Sequence, residues 1–291
     1  MQKPSSFYQK VWPDFNIFLM GDSHEGAFTR HESGWNEFVA MVQSPYADLR
    51  PSRNLIIEHG DMAECSYVGH PHYTSLDSPR NIPMEQYAQC VEQRLPIRKH
   101  IVTSLDGNHD LRLKNIGLFV KSVCKALGCG YGTFSTKVAW HDKFGLIFKS
   151  FHTHGRKLIS SVADDPGRQI ANMELSLKRH LVNKASDCVL MSKGHTHRLL
   201  VRPPKPQLGI ADNGVKFRNT YSTDNVDYTA MFIPPDVRWY VNTGSFFRLY
   251  GSGECETYSY AELGEYDPME LGFAIALVRD RRIVEIRRHI L

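Results

Sequence analysis

Five short segments of the 291-residue chain carry side chains that commonly bind metal ions. They are Asp22-Ser23-His24, Gly60-Asp61, Asn108-His109-Asp110, His152-Thr153-His154 and His195-Thr196-His197. Oxygen and imidazole donors without a thiolate suit Mn²⁺, Fe or Zn²⁺. Any one histidine pair could equally be two hydrogen-bonded imidazoles, but the repetition of such segments in a chain with 14 histidines favours one shared metal site.

Each segment follows a short apolar run of the kind that forms a buried strand. The runs occupy 17–20, 55–57, 101–103, 146–151 and 188–191. Ligands of α/β sheets bind beyond the carboxyl ends of the strands, so we expect the five segments to meet there. Their roughly seven donors exceed the four of a tetrahedral zinc site. Two divalent ions would use the whole set, and ions roughly 3.5–4 Å apart serve phosphoryl transfer.

The chain between these runs predicts helices, which makes the fold class α/β. Apolar residues three and four positions apart predict helices near 35–42, 84–95, 111–127 and 170–182. Residues 130–138 predict one strand, and 140–145 predict the turn that follows it. Prolines, serines and histidines make 65–83 a loop-rich insertion. The part from 198 to 291 is predicted to be β-rich, with a hairpin around 279–282.

Composition indicates a globular protein with a sizeable core and sets few limits on its partners. Hydrophobic residues make up 42% and charged residues 23%, and the net charge is only +4. That charge permits a nucleic-acid partner but does not indicate one. No apolar stretch is long enough to span a bilayer, the N-terminus lacks a signal-peptide core, and six cysteines are too few for a disulfide scaffold. We therefore expect a single cytoplasmic domain over 1–291 with no membrane partner, and the oligomeric state stays open.

The order and spacing of the segments resemble the calcineurin-like metallophosphoesterase superfamily. The matching motifs are Asp22-x-His24, Gly60-Asp61, Gly107-Asn108-His109-Asp110, a histidine after a strand, and Gly194-His195-Thr196-His197. Asn242-Thr243-Gly244-Ser245-Phe246 is similar to a later segment of prokaryotic members. The resemblance spans 22–197 and implies a two-sheet αββα sandwich that holds two divalent ions. Mn²⁺ is the first expectation for them, with Fe, Zn²⁺ or Ni²⁺ as alternatives.

The resemblance also implies a role for each motif residue. The metal ligands would be Asp22, His24, Asp61, Asn108, His154, His195 and His197. Asp61 would bridge the two metals, and a hydroxide between them would attack phosphorus in line. His109 would be the catalytic residue, acting as an acid towards the leaving oxygen or stabilising charge on the phosphoryl group.

The fourth motif leaves two histidines open. His154 precedes a glycine, as the family's ligand often does, whereas His152 comes first after the apolar run. We expect His154 to be the ligand and keep His152 as the alternative; the other histidine could contact substrate. Arg156 and Arg198 lie beside motifs and could bind substrate phosphate. Asp110 is expected to cap a helix or to orient an imidazole.

Other polar residues near the motifs are expected to be ordinary loop residues. Glu64 follows Asp61 closely, but a loop role is favoured over support of the site. Asp106 is expected to be a solvated turn residue. His70 and His72 lie in the insertion, where surface positions are favoured over a cover for the site.

The leading functional hypothesis is a dinuclear metal-dependent phosphohydrolase acting on a phosphodiester, such as a nucleotide, an oligonucleotide or a small diester. A phosphomonoesterase or protein phosphatase of the same superfamily is the alternative. A non-catalytic metal-binding scaffold is the alternative from another class, although every ligand type is present. A mononuclear oxygenase with three ligands would leave the other donors without a role.

Overall fold

The computed structural model describes residues 5–67, 82–115, 117–212, 214–224, 226–251 and 258–291. Its strands are β1 (Ser5–Lys10), β2 (Phe15–Met20), β3 (Asn54–Glu58), β4 (Ile101–Ser104), β5 (Gly130–Tyr131), β6 (Ser135–Asp142), β7 (Gly145–Thr153), β8 (Leu190–Lys193), β9 (Leu199–Arg202), β10 (Leu208–Asp212), β11 (Phe217–Tyr221), β12 (Trp239–Thr243), β13 (Gly272–Arg279) and β14 (Arg282–Ile290). Its helices are α1 (Glu32–Gln43), α2 (Pro83–Arg94), α3 (Phe119–Leu127), α4 (Pro166–Leu181) and α5 (Tyr260–Leu263).

Two six-stranded sheets form the body of the protein. Sheet I has the order β14-β13-β2-β3-β4-β5, and sheet II has the order β1-β6-β7-β8-β12-β9. Strands β2 to β5 run parallel in sheet I, and β7, β8 and β12 run parallel in sheet II. The carboxyl ends of these parallel strands are the ends that carry the five predicted segments. Strands β10 and β11 form a separate antiparallel pair.

The two sheets pack face to face because the strands alternate their side chains. In β2, Phe15, Ile17 and Leu19 join the core between the sheets. Phe18 and Met20, on the other face, join the core beneath the helices of sheet I. This alternation follows from the two-residue period of a strand. All six residues of β2 are buried, as expected for a strand covered on both faces.

Helices cover both outer faces of the sandwich. The apolar sides of α1, α2 and α3 pack on sheet I. Helix α4 packs Met173, Leu177 and Leu181 on the outer face of sheet II. The predicted α/β fold, with two sheets and helices on both outer faces, is therefore confirmed. The predicted hairpin is also present, since Asp280 and Arg281 take the left-handed backbone that joins β13 to β14.

Two predicted elements were wrong in their boundaries. The helix predicted over 111–127 begins only at Phe119, after a single 3₁₀ turn at Asp110–Leu113. It ends as predicted before Gly128, which has φ +74°. The strand predicted over 130–138 is two strands, β5 in sheet I and β6 in sheet II, because the chain crosses between the sheets at 132–134. Strand β6 continues to Asp142 and β7 begins at Gly145, so the turn lies within the predicted range but is shorter.

Most of the predicted insertion, including His70 and His72, lies outside the described residues. Within the described ranges, no helix has both the length and the apolar character needed to cross a bilayer.

Candidate metal centre

The carboxyl ends of five strands meet at one edge of the sandwich, and both sheets contribute donors there. One group of donor atoms within 4.8 Å of one another comes from Asp22, His24 and His197. A second such group comes from Asp61, His154 and His195, and a third comes from His24, Glu64 and His109. Sheet I supplies Asp22, His24 and Asp61 from the loops after β2 and β3. Sheet II supplies His154, His195 and His197 from the loops after β7 and β8. The sandwich therefore brings together side chains that are up to 175 positions apart in the sequence.

Five of these residues have a left-handed backbone. Their φ angles are +53° at Asp22, +46° at His24, +48° at Asp61, +77° at His195 and +54° at His197. Residues with a side chain rarely adopt this region, and each instance costs on the order of 1–3 kcal/mol. Such strain persists only where the surrounding structure imposes it, and it concentrates at functional sites.

Two glycines let the loops from β3 and β4 touch. Gly60 has φ +89°, and a Cβ there would lie 2.6 Å from the backbone nitrogen of Gly107. A Cβ on Gly107 would collide with the backbone and carboxylate of Asp61. Side chains at these two positions would push the loops apart. The bare backbones thus hold Asp61 against the Asn108-His109 segment, where the His109 N–H donates to Asp61 Oδ1 at 2.7 Å.

In the first group, the Nε2 lone pair of His24 points towards the other donor atoms. His24 Nδ1 lies 2.9 Å from Glu64 Oε2, so the ring donates there and leaves a lone pair on Nε2. His24 Nε2 faces His197 Nε2 at 3.1 Å, and His197 Nε2 lies 3.4 Å from Asp22 Oδ1. A histidine whose second nitrogen donates to a carboxylate is the usual arrangement of a metal ligand.

The second group needs a positive charge between its donor atoms. His154 Nδ1 donates to the His59 carbonyl at 2.7 Å, which leaves the Nε2 lone pair facing oxygen acceptors. Those acceptors are Asn108 Oδ1 at 2.9 Å and Asp61 Oδ2 at 3.3 Å. Three acceptors that converge repel one another unless a proton or a cation lies among them. Burial disfavours the protonated ring, but Asp61 and Asp22 raise the pKa of His154 to about 9.

Three buried carboxylates, Asp22, Asp61 and Glu64, lie among the donor atoms of the site. Burial would raise the pKa of Asp22, Asp61 and Glu64, but contacts with histidines hold all three below their usual values. Among the described residues, Arg112 contacts Glu64, His109 also contacts Glu64, and His154 contacts Asp61. Buried charges are stable only when they are paired or coordinate metals. The carboxylate and imidazole donors fit divalent cations, which would take the place of the protons on the histidines.

His109 is held by Glu64 and lies beside both groups. Its Nδ1 is 2.9 Å from Glu64 Oε1, and its Nε2 is 3.3 Å from Arg112 Nη2. Arg112 also donates to Glu64 Oε1 at 2.6 Å. Burial disfavours the imidazolium, but Glu64 and Asp61 raise the pKa of His109 above its usual value. Glu64 thus orients the ring and favours its protonated form.

Asp110 supports the loops and does not contact the donor groups. Its carboxylate accepts the backbone N–H groups of Gly107, Met62 and Ala63. It therefore ties the loop after β3 to the loop after β4. It opens a 3₁₀ turn and makes no capping bond to a helix, so the expectation of a helix cap was wrong.

His152 is buried two positions before His154, inside the sandwich rather than at its edge. Its Nε2 accepts from Ser150 Oγ at 2.7 Å, and its Nδ1 donates to Ser192 Oγ at 2.7 Å. Trp140 Nε1 donates to Ser150 at the start of this chain of hydrogen bonds. His59 Nε2 accepts from Ser192 at its other end. Burial and the nearby His59 hold the pKa of His152 well below its usual value, so both nitrogens of a neutral ring are used.

We expect separate substitutions to distinguish the two histidines. His154→Ala should weaken metal binding by at least about tenfold, because it removes a donor atom. His152→Gln should keep the bound metal but lower the free energy of unfolding by about 1–3 kcal/mol, since buried hydroxyls lose a partner. Metal analysis and chemical denaturation of both variants measure these effects. Metal loss in His152→Gln alone would assign the ligand to His152.

A cavity of about 420 Å³ opens onto the donor groups. Asp61, Asn108, His109, His195 and His197 form its polar floor. Its walls come from the segment 158–160 and from the C-terminal segment 260–269, and they include Leu158, Ile159, Arg198, Tyr260, Tyr266 and Met269. The predicted substrate contact Arg198 therefore lines this cavity, whereas Arg156 lines a different one.

Three residues at the site differ from the sequence expectations or were missed. Glu64 is buried between His24 and His109, so an ordinary loop role was wrong. Asp106 is buried and accepts the Tyr131 hydroxyl, so a solvated turn role was also wrong. Tyr260 was missed; its ring lies 5.7 Å from that of His109. No motif or periodicity marks Tyr260. Its contact with His109 joins residues 151 positions apart, so sequence spacing does not reveal it.

The segment after β12 supports the site from beneath. Ser245 Oγ and the Phe246 N–H both donate to the Asp22 carbonyl, at 3.2 and 3.1 Å. The Phe247 ring lies against His24 at 4.8 Å between ring centres. This segment, singled out by its sequence, holds the backbone of Asp22 in place.

No protein-family model matches the chain, and no curated protein matches it. Among solved structures, the chain is similar to the crystal structure of a conserved uncharacterised protein from Streptococcus pneumoniae that is described as a predicted phosphoesterase. The alignment covers 96% of this chain and 98% of that one, with 12% sequence identity and a TM-score of 0.29.

Proposed function

We propose that the protein is a dinuclear metal-dependent phosphohydrolase of the calcineurin-like type that hydrolyses phosphodiesters. The observation that carries this proposal is the pair of carboxylate–imidazole groups at one edge of the sandwich, Asp22/His24/His197 and Asp61/His154/His195, which are buried except for the half-buried His195. One group alone would suit many metal proteins. Two groups beside a histidine that is held by a carboxylate suit phosphoryl transfer.

The residues present define which side chains would hold each cation. Asp22, His24 and His197 would hold one, and Asn108, His154 and His195 the other, with Asp61 between them. Bound divalent cations would supply Lewis acidity and an activated water, both of which accelerate the hydrolysis of a phosphate ester. The oxygen and nitrogen donors suit Mn²⁺ first, with Fe, Zn²⁺ or Ni²⁺ as alternatives.

His109 would supply the proton for the leaving oxygen. Glu64 accepts from its Nδ1, so Nε2 is the nitrogen that faces Arg112 Nη2 and Asp61, and it would have to turn its proton towards the leaving oxygen rather than towards the guanidinium. Once the proton has gone to the leaving group, Glu64 still orients the neutral ring for its next protonation. A positioned acid of this kind contributes about 10²–10⁴-fold to a rate.

The cavity favours a phosphodiester over a monoester. Its walls combine the aromatic rings of Tyr260 and Tyr266 with the apolar side chains of Leu158 and Met269. A monoester has one organic group to place, whereas a diester has two. Arg198 on the same wall lies 3.6 Å from the Asp267 carboxylate and would exchange this partner for the phosphate or for a second charged group.

Metal analysis and turnover of bis(p-nitrophenyl) phosphate test the proposal. The purified protein should bind about two divalent ions and hydrolyse this diester faster than p-nitrophenyl phosphate. Removal of metal with EDTA should abolish turnover, and Mn²⁺ should restore it. Protein with no bound metal and no turnover in added Mn²⁺ would contradict the proposal, and a preference for the monoester would overturn its substrate class.

A further inference from the structure

A second cavity, called here the basic cavity, lies on the outer side of sheet II beside α4. Its volume is about 250 Å³. The charged or titratable residues that line it are Arg156, Lys157, His180, Lys184 and Lys193. No carboxylate is among its described lining residues. The cavity therefore gathers positive charge from β8, from α4 with the residues after it, and from the loop after β7.

Lys193 is the buried member of this group. It ends β8 and is only 2% exposed. Its ammonium donates to the Lys157 carbonyl at 2.5 Å, and among the described residues it has no carboxylate partner. Gly155 makes room for it, since a Cβ there would lie 3.3 Å from Lys193 Cε. An ammonium has three donors, so this one has donors left for a ligand.

His180 adds an unpaired nitrogen to the same cavity. Its Nδ1 is buried and has no hydrogen-bond partner among the described residues. Burial lowers the pKa of His180, and the charges of Lys193, Lys157 and Arg179 lower it further. The positive charges of Lys193 and Lys157 are thus close enough to His180 to disfavour its protonated form. A buried polar atom without a partner is rare in folded proteins and calls for a ligand or an ordered water.

Other lysines near this face of sheet II have carboxylate partners. Lys137 and Lys149 both contact Asp187, at 2.6 and 2.9 Å. Lys178, on α4, contacts Asp236 at 2.6 Å. The dipole of α4 favours cations at its C-terminal end, which accounts for His180 and Lys184. It does not account for Lys193, which comes from the sheet.

We propose that the basic cavity binds a phosphate group, separately from the candidate metal centre. A phosphate dianion would neutralise two of the four lysine and arginine charges, whereas a carboxylate would neutralise one. Lysine and arginine are the usual partners of phosphate oxygens. Pockets for drug-sized ligands measure about 300–1,000 Å³, so the smaller basic cavity suits a single phosphate or one end of a larger molecule.

One segment separates the two cavities. Residues 155–157 line the basic cavity, and residues 158–160 line the cavity above the metal ligands. The phosphate has two sources. It could be a second phosphate of the substrate, reaching across this segment, or a free phosphate ion. Phosphate binding itself does not depend on the proposed hydrolase function and is measured without turnover.

Calorimetric titration of the metal-loaded protein with inorganic phosphate tests the proposal. The double variant Lys157→Gln/Lys184→Gln should weaken one class of phosphate site by at least about tenfold, because two charged contacts are lost. It leaves Lys193, which lies near the metal ligands, unchanged. The control Lys121→Gln/Lys125→Gln makes the same change of net charge on exposed residues of α3 and should bind phosphate like the wild type. Acetate at equal ionic strength should not compete.

Equal phosphate binding by the wild type and the cavity variant would overturn the proposal, as would an equal loss in the α3 control. Kinetics then separate the two sources. If the phosphate belongs to the substrate, the cavity variant should raise KM for a 5′-phosphorylated thymidine trinucleotide and not for bis(p-nitrophenyl) phosphate. If it is a free ion, the two KM values should stay unchanged while the calorimetric site is lost.

Discussion

Replacing Asp61 with asparagine is expected to lower phosphodiester turnover by roughly 10³-fold or more. Asp61 places Oδ2 3.3 Å from His154 Nε2 and Oδ1 2.7 Å from the His109 backbone nitrogen. Asparagine keeps the size of the side chain but removes the negative charge between the two donor groups. Metal content should fall together with kcat/KM, and mass spectrometry of the metals with steady-state kinetics measures both.

Asp142→Asn is the matched control for this variant. Asp142 is also buried and carries a charge contact, to Arg281 at 2.7 Å, but it lies at the end of β6 away from the predicted site residues. Its loss should lower stability and leave metal content and turnover unchanged. Full metal occupancy and full activity in Asp61→Asn would contradict the proposal that Asp61 bridges the two metals. Equal inactivation of both variants would show a general loss of structure.

The second large effect is expected for His109→Asn, which should lower kcat by about 10²–10⁴-fold while the metals stay bound. The ring contacts Glu64 and Arg112 but is not part of either group assigned to the metals. The defect should be smaller for a p-nitrophenyl ester than for a nucleoside ester, because p-nitrophenolate leaves without a proton. Kinetics on both esters and metal analysis measure the difference.

His141→Asn serves as the control, since His141 lies on β6 and stacks on Tyr8 at 4.2 Å between ring centres. It should keep kcat, metal content and the ratio between the two esters. Loss of both metals in His109→Asn would contradict the assignment of His109 as an acid. It would instead indicate that His109 is a metal ligand or a structural residue. An equal defect on both esters would assign the ring to charge stabilisation.

The strands that carry the site could be predicted because apolar runs and the polar residues after them are local signals. Ile17–Met20 and Leu55–Ile57 fall within β2 and β3. The switch of sheets at 132–134 was not predictable in this way. It depends on contacts of β5 with β4 and of β6 with β1, and the residues themselves are compatible with one continuous strand.

The choice between His152 and His154 illustrates a different limit. Residues two apart in a strand point to the same face, so both rings point between the sheets. Depth along the strand is what separates them, because β7 ends at Thr153 and only His154 passes the sheet edge. Depth depends on the lengths of the neighbouring strands. The alternation along the strand therefore leaves the two histidines equivalent, and the glycine after His154 is the local feature that favours it.

Glu64 and Asp106 were underestimated because burial of a loop carboxylate depends on its partners. Glu64 contacts His24 and Arg112, which are 40 and 48 positions away. Asp106 accepts from Tyr131, which is 25 positions away. A carboxylate in a loop is exposed unless distant parts of the chain supply such contacts, and sequence spacing alone does not reveal them.

The left-handed backbone at Asp22, His24, Asp61, His195 and His197 links the stability of the fold to the proposed metal binding. Glycine would adopt these angles without steric cost, so each of these side chains lowers the stability of the metal-free fold. A ligand that binds only the native state raises stability in proportion to the logarithm of its concentration over its dissociation constant. Metal bound at these residues would therefore offset part of this cost and raise the stability of the folded protein.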